Sequence, residues 1–125
     1  MKLSTFLIVK AIVCFVFAIG YIVAPVALGS LYEITLDPDG IIMARFFGAL
    51  LIGIGLILWL CRNADWNILK NITLSLCIAD TIGFIIALVA QLAGVMNSLG
   101  WIIVAVWLLL ASGLGYFRFL KPGNS

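Results

Sequence analysis

The sequence contains no histidine and has few charged residues of either sign. Only 10% of its 125 residues are Asp, Glu, Lys or Arg, and the formal net charge is +2. A soluble domain normally has about 25% charged residues, so this shortage excludes a soluble globular monomer. Disorder is excluded as well, because 66% of the residues are hydrophobic and such a chain buries its apolar surface. A net charge this small also argues against a nucleic-acid partner.

Cysteine is scarce and scattered. Cys14, Cys61 and Cys77 fall in separate parts of the chain, and without histidine they do not form a zinc, haem or iron–sulfur ligand set. No C-x-x-C, Walker A or G-x-S-x-G motif is present. The sequence therefore gives no support for a redox-active dithiol, a nucleotide-binding loop or the nucleophile of a serine hydrolase. The sequence therefore predicts no catalytic residue, no metal site and no cofactor of its own, and it favours a non-enzymatic protein.

Long apolar runs fill most of the chain, whose mean hydropathy is +1.32. A membrane-spanning helix needs roughly 20 mainly apolar residues, and the runs at about 5–27, 41–61, 72–95 and 99–120 each satisfy this requirement. Short connections make neighbouring helices antiparallel. We predict an all-α, integral membrane four-helix bundle of up-down-up-down topology, formed by residues 1–125 as one domain. The first run is about twice the length of a signal-peptide core, so we interpret it as a retained helix.

Basic residues are concentrated on one predicted side of the membrane. By the positive-inside rule, this side is cytoplasmic, which places both termini in the cytoplasm and the acidic loop between the first two spans outside. On the outer side only Arg45 lies near a helix end. The residues on the basic side are Lys2, Lys10, Arg62, Lys70, Arg118 and Lys121.

Asp80 is the most informative residue, because it lies about 15 Å from the basic boundary, near the bilayer midplane. A carboxylate there costs on the order of 3 kcal/mol, so it should face inward and be paired or protonated. One interpretation is a polar pocket or proton route between the helices. The residues predicted to form this pocket are Asp80, Arg45, Lys10, Tyr21 and Gln91.

Two other arrangements remain open at this stage. Asp80 and Arg45 can form a structural ion pair while Lys10 extends to the cytoplasmic interface. Alternatively, Arg45 pairs with Glu33 or Asp37 in the loop and leaves Asp80 protonated.

Small residues predict where the helices pack. Burying leucine gains little in lipid, so close helix contacts form at glycine and alanine instead. The glycines predicted at such contacts are Gly48, Gly53, Gly55, Gly83 and Gly115.

One stretch resembles a known group of proteins. Residues 44–55, ARFFGALLIGIG, follow LDPDG at 36–40 and look like the second span of small bacterial four-helix membrane proteins of the DoxX-like type. ADTIGF at 79–84 and GVMNSLGW at 94–101 are similar to sequences in uncharacterised relatives. Some DoxX-like proteins are membrane subunits of quinone-linked oxidoreductases. The resemblance therefore implies a bacterial inner-membrane protein with an accessory role near quinones or lipids, but no catalytic residue.

The sequence thus favours a non-enzymatic accessory subunit or a lipid- or quinone-binding bundle. Its expected partners are the lipid bilayer and a larger membrane complex or further copies of itself. The alternative is a small homo-oligomeric transporter or channel in which Asp80 serves as the membrane-embedded carboxylate. A lipid-modifying enzyme with Asp80 as general base is disfavoured, because no second titratable partner is well placed.

Overall fold

The computed structural model describes residues 1–121, and the regular structure in this range is entirely helical. Four segments are long and apolar enough to cross a membrane, namely α1, α3, α4 and the stretch Gly100–Leu120. The predicted all-α, four-helix architecture is confirmed, and it indicates a multi-pass membrane protein. The helices are α1 (Leu3–Val23), α2 (Pro25–Leu31), α3 (Pro38–Leu60), α4 (Trp66–Leu92) and α5 (Gly100–Gly115), and α5 continues into a π-helical turn, Tyr116–Leu120.

The first span is shorter than predicted, because the helix breaks at Ala24. Its φ of −139° and ψ of 59° lie outside the helical region. Pro25 causes this break, since proline disfavours the helical conformation in the preceding residue and has no N–H to donate. The same proline is suited to the first position of a new helix, so a separate short helix, α2, begins there. This helix of seven residues was not predicted.

The other helix ends show that hydropathy marks the membrane-crossing part of a helix and not its full length. Asp37 accepts a hydrogen bond from the Gly40 N–H at 2.7 Å and so caps the N-terminus of α3. The helix therefore begins at Pro38, three residues before the predicted apolar run. Helix α4 begins at Trp66, also ahead of its apolar run, and has 27 residues. At about 40 Å, α4 is longer than the roughly 30 Å of hydrocarbon.

The backbones approach most closely in two antiparallel pairs, α1 with α3 and α4 with α5. Glycines lie where the first pair meets. A β-carbon at Gly48 would lie 2.7 Å from Ile22 Cγ1, and one at Gly55 would lie 2.7 Å from the Phe15 ring. Gly53 differs, since a β-carbon there would meet nothing within 4 Å. Gly53 lies about 140° around the helix from Gly48, so it faces outward and takes no part in packing within the bundle.

Small residues also lie where the second pair, α4 with α5, meets. A β-carbon at Gly83 of α4 would lie 2.5 Å from the Trp107 ring of α5, so the indole lies flat against the glycine. At Gly115 the nearest atom would be Cys77 Sγ at 3.6 Å, which is ordinary van der Waals contact.

The two ends of the bundle differ in their packing. We call the end that carries Met1, Lys121 and the α3–α4 connection the terminal side, and the opposite end the loop side. On the terminal side all four spans contribute to a tightly buried apolar cluster, which comprises Leu3, Leu7, Leu58, Leu69, Leu114 and Phe117. On the loop side Asn97 joins the two pairs, because its side-chain amide donates to the Leu31 carbonyl at 2.9 Å and its N–H to the Tyr32 carbonyl at 3.1 Å.

Candidate functional site

An interior cavity of about 270 Å³ lies between the four spans. It extends from the level of Lys10 and Asp80 toward the loop side, and every span contributes to its wall. Its lining is mainly aliphatic and aromatic, and the polar atoms come from a few side chains. The lining residues are Lys10, Val13, Cys14, Phe17 and Tyr21 of α1, Phe47, Leu51 and Ile54 of α3, Leu76, Ala79 and Asp80 of α4, and Ile103, Val106, Trp107 and Leu110 of α5.

A buried ion pair lies on the wall of this cavity. Lys10 Nζ is 2.7 Å from Asp80 Oδ2, and each side chain is only 4% exposed. The long lysine side chain bridges α1 and α4, whose backbones are not among the closely approaching pairs. Lys10 therefore does not extend to the membrane interface as one interpretation of the sequence held. Its ammonium turns inward because Asp80, close to the middle of α4, offers a full counter-charge.

The ion pair uses only part of its hydrogen-bonding capacity. A lysine ammonium has three N–H donors, and within residues 1–121 Lys10 uses one of them, on Asp80 Oδ2. The second carboxylate oxygen, Oδ1, has no partner in the same range. Buried charged groups are costly unless their donors and acceptors are satisfied. The free N–H groups and Oδ1 are therefore available to a molecule in the cavity.

Arg45 is not part of this site. Its side chain is exposed, and Nε donates to the Ile22 carbonyl at 3.2 Å. The last carbonyls of a helix have no partner within the helix, and the break before Pro25 leaves Ile22 in this position. Lys10–Asp80 is the one ion pair in the described part of the chain, so the predicted pairings of Arg45 with Asp80 and with the acidic loop are wrong.

Tyr21 lines the cavity, as an extension of the helix face that carries Lys10. Its ring stacks on Phe17, with centroids 6.3 Å apart, and contacts Phe47 edge-on at 5.1 Å. These aromatic rings form the loop-side part of the wall.

Gln91 lies outside the cavity, so the structure does not bring it together with Asp80. The two residues are 11 positions apart on α4, which is about 16 Å along the helix. Gln91 Nε2 donates to the Asn97 carbonyl at 3.0 Å, while its Oε1 is enclosed without a hydrogen-bond partner in the described residues. The predicted pocket therefore does not extend to Gln91.

Trp107 is the main lining residue that the sequence did not predict. It is an apolar position in an apolar helix, and periodicity does not distinguish a lining residue from a lipid-facing one there. The one signal was Gly83 on α4, since a glycine in a packed face leaves room for a bulky neighbour. Cys14 and Phe17 follow Lys10 by one and two helical turns, so the helical repeat places them on the same face of α1.

Comparison with known proteins gives no match, either to a family model or among curated proteins and solved structures. The DoxX-like resemblance therefore remains a prediction. No group of three potential metal ligands occurs in residues 1–121.

Proposed function

We propose that this protein is a non-enzymatic membrane protein that binds a neutral, lipid-soluble molecule in its interior cavity, as an accessory subunit of a larger membrane complex. The candidate ligands are a quinone or a lipid with a neutral head group. One observation carries the proposal: the apolar cavity has a buried ion pair with unused donors and an unused acceptor on its wall.

The charge of the cavity selects the ligand's polar head. Lys10 and Asp80 sum to zero, and no other charged residue lines the cavity. An anionic head would be repelled by Asp80, and no second cation is present to offset this repulsion. A cationic head would be repelled by Lys10 in the same way, so a neutral head is favoured. A carbonyl or hydroxyl oxygen can accept from Lys10, and a hydroxyl can donate to Asp80 Oδ1.

The size of the cavity points to the head group alone. Pockets for drug-sized ligands have volumes of roughly 300–1,000 Å³, and this cavity has about 270 Å³. It therefore suits one ring or a comparable small head, while a whole membrane lipid would not fit.

The packing of the terminal side favours binding over transport. A transporter needs access from both sides of the membrane, but Leu3, Leu58 and Leu114 are fully buried between the cavity and the terminal side. Flux through liposomes separates the two functions. We expect no flux above that of protein-free liposomes, whereas flux that is lost in Asp80→Asn would support the transporter.

Binding can be followed by the fluorescence of Trp107, which lies in the cavity wall. The other tryptophans are changed to phenylalanine (Trp59, Trp66 and Trp101), and decylubiquinone, a quinone that quenches indole fluorescence, is titrated in lipid nanodiscs. We expect saturable quenching. Ile103→Phe places a phenyl ring in the cavity and should weaken binding by about tenfold or more, equivalent to about 1.4 kcal/mol, because the ring occupies the space of the ligand's head.

The neighbouring Ile102→Phe is the matched control, because Ile102 is 55% exposed on the outside of α5. Its affinity should equal that of the parent protein. Quenching that rises linearly with the quinone, or that is identical in the two variants, would place the quinone in the bilayer only and refute the binding site.

A further inference from the structure

A second depression, the α3–α4 groove, opens on the surface of the bundle beside the cavity. It has a volume of about 280 Å³. Helices α3 and α4 belong to different closely packed pairs, so a gap remains between them where both face the membrane. The residues that line this groove are Ile54 and Ile57 of α3, and Asn71, Ile72, Ser75 and Leu76 of α4.

The groove and the cavity meet at two side chains. Ile54 and Leu76 belong to both linings, so the side chains of these two residues lie between the two spaces. Leu76 lies one helical turn before Asp80, which places the junction close to the ion pair.

We propose that the α3–α4 groove holds a single apolar chain, alkyl or isoprenoid, of the ligand whose head occupies the cavity. This inference rests on the proposed function. The cavity has room for the head alone, so the chain of a lipid-soluble molecule has to leave it. The groove adjoins the cavity at Ile54 and Leu76, close to the level of the polar head, and most of its lining is aliphatic. A single groove of about 280 Å³ has room for one chain.

The groove contributes space to the ligand and little affinity. A chain that moves from the bilayer into the groove exchanges one apolar environment for another, so the hydrophobic effect gives almost no gain. A side chain that fills the groove should therefore act by steric exclusion. It should weaken binding of a ligand with a chain and leave a ligand without a chain unaffected.

The test uses the protein with Trp107 as its one tryptophan and two quinone probes in nanodiscs. One probe is decylubiquinone, and the other is the same quinone ring without its chain. Ile57→Phe fills the groove at a position that does not line the cavity. Leu56→Phe is the matched control, because Leu56 is 47% exposed and Ile57 51% exposed, yet Leu56 lines neither space. We expect Ile57→Phe to weaken decylubiquinone binding about tenfold, equivalent to 1.4 kcal/mol, and to leave the chainless probe unchanged.

Two results would overturn this inference. If decylubiquinone binds Ile57→Phe and Leu56→Phe equally well, the groove holds only bilayer lipid. If Ile57→Phe weakens both probes, the substitution disturbs the cavity and does not exclude a chain. Failure of the proposed function differs from both, since neither probe would then quench Trp107 saturably in the parent protein.

Discussion

The buried pair of Lys10 and Asp80 allows a quantitative test of how charge is accommodated in this bundle. Three variants are needed: Lys10→Met, Asp80→Leu and the double variant. Each single substitution removes one charge and leaves the other buried, whereas the double substitution replaces the pair with apolar side chains of similar size.

The expected loss of unfolding free energy follows from the burial of the ion pair and from the cavity beside it. Breaking a buried ion pair by removing one partner costs about 3–5 kcal/mol. The remaining charge here faces a cavity large enough to hold water, so we expect each single variant to lose roughly 3 kcal/mol of unfolding free energy, at the lower end of that range. Replacing both partners of such a pair is often neutral or stabilising, so the double variant should be more stable than either single variant.

The measurement is equilibrium unfolding in mixed micelles, with the fraction of SDS as the denaturant and far-ultraviolet circular dichroism as the readout. Lys2→Met is the control for loss of a positive charge, because Lys2 is exposed at the start of the chain, and it should leave the free energy of unfolding unchanged.

The stability of the double variant shows whether the two charges are energetically coupled. If its loss equals the sum of the two single losses, the charges are not coupled. The ion pair would then contribute nothing as a pair, and the ligand chemistry inferred from its free donors and acceptor would lose its basis.

Three further predictions concern packing, the loop side and orientation. Gly83→Ala should destabilise the bundle by roughly 1–3 kcal/mol in SDS unfolding, because its β-carbon would lie 2.5 Å from an indole ring. Gly53→Ala should be neutral or stabilise by up to about 1 kcal/mol, because a β-carbon at Gly53 would meet nothing within 4 Å. Equal unfolding midpoints for the two variants would contradict this difference. Asn97→Ala removes a side-chain hydrogen bond to the end of α2, so it should cost about 1–2 kcal/mol and speed amide hydrogen exchange in α2; unchanged exchange would show that this hydrogen bond does not stabilise the end of α2. If both termini are cytoplasmic, an impermeant maleimide should label Ser30→Cys but not Asn63→Cys in intact cells whose protein lacks its native cysteines, and the reverse pattern would refute the orientation.

Parts of the candidate site were predictable because they follow from local rules. Asp80 had to find a partner, since an unpaired carboxylate at that depth is costly. The helical repeat placed Tyr21 on the same face as Lys10, and both line the cavity. The break at Ala24 was missed although its cause is local, because the constraint acts between a proline and the residue before it.

The choice of partner for Asp80 was not predictable in the same way. Lys10 and Arg45 are both long basic side chains at similar distances from the midplane, and sequence spacing along separate helices does not fix their relative depth or rotation. The packing of α1, α3 and α4 decided the choice, directing Lys10 toward Asp80 and Arg45 toward the end of α1.

The sequence by itself determined the number of spans and their antiparallel order, because hydropathy and short connections act over neighbouring residues. The tertiary structure alone decided which charges meet, where the cavity lies and which side of the bundle is sealed. Those properties depend on contacts between residues far apart in the chain, and in an apolar bundle many such contacts are nearly equal in energy until the helices pack together.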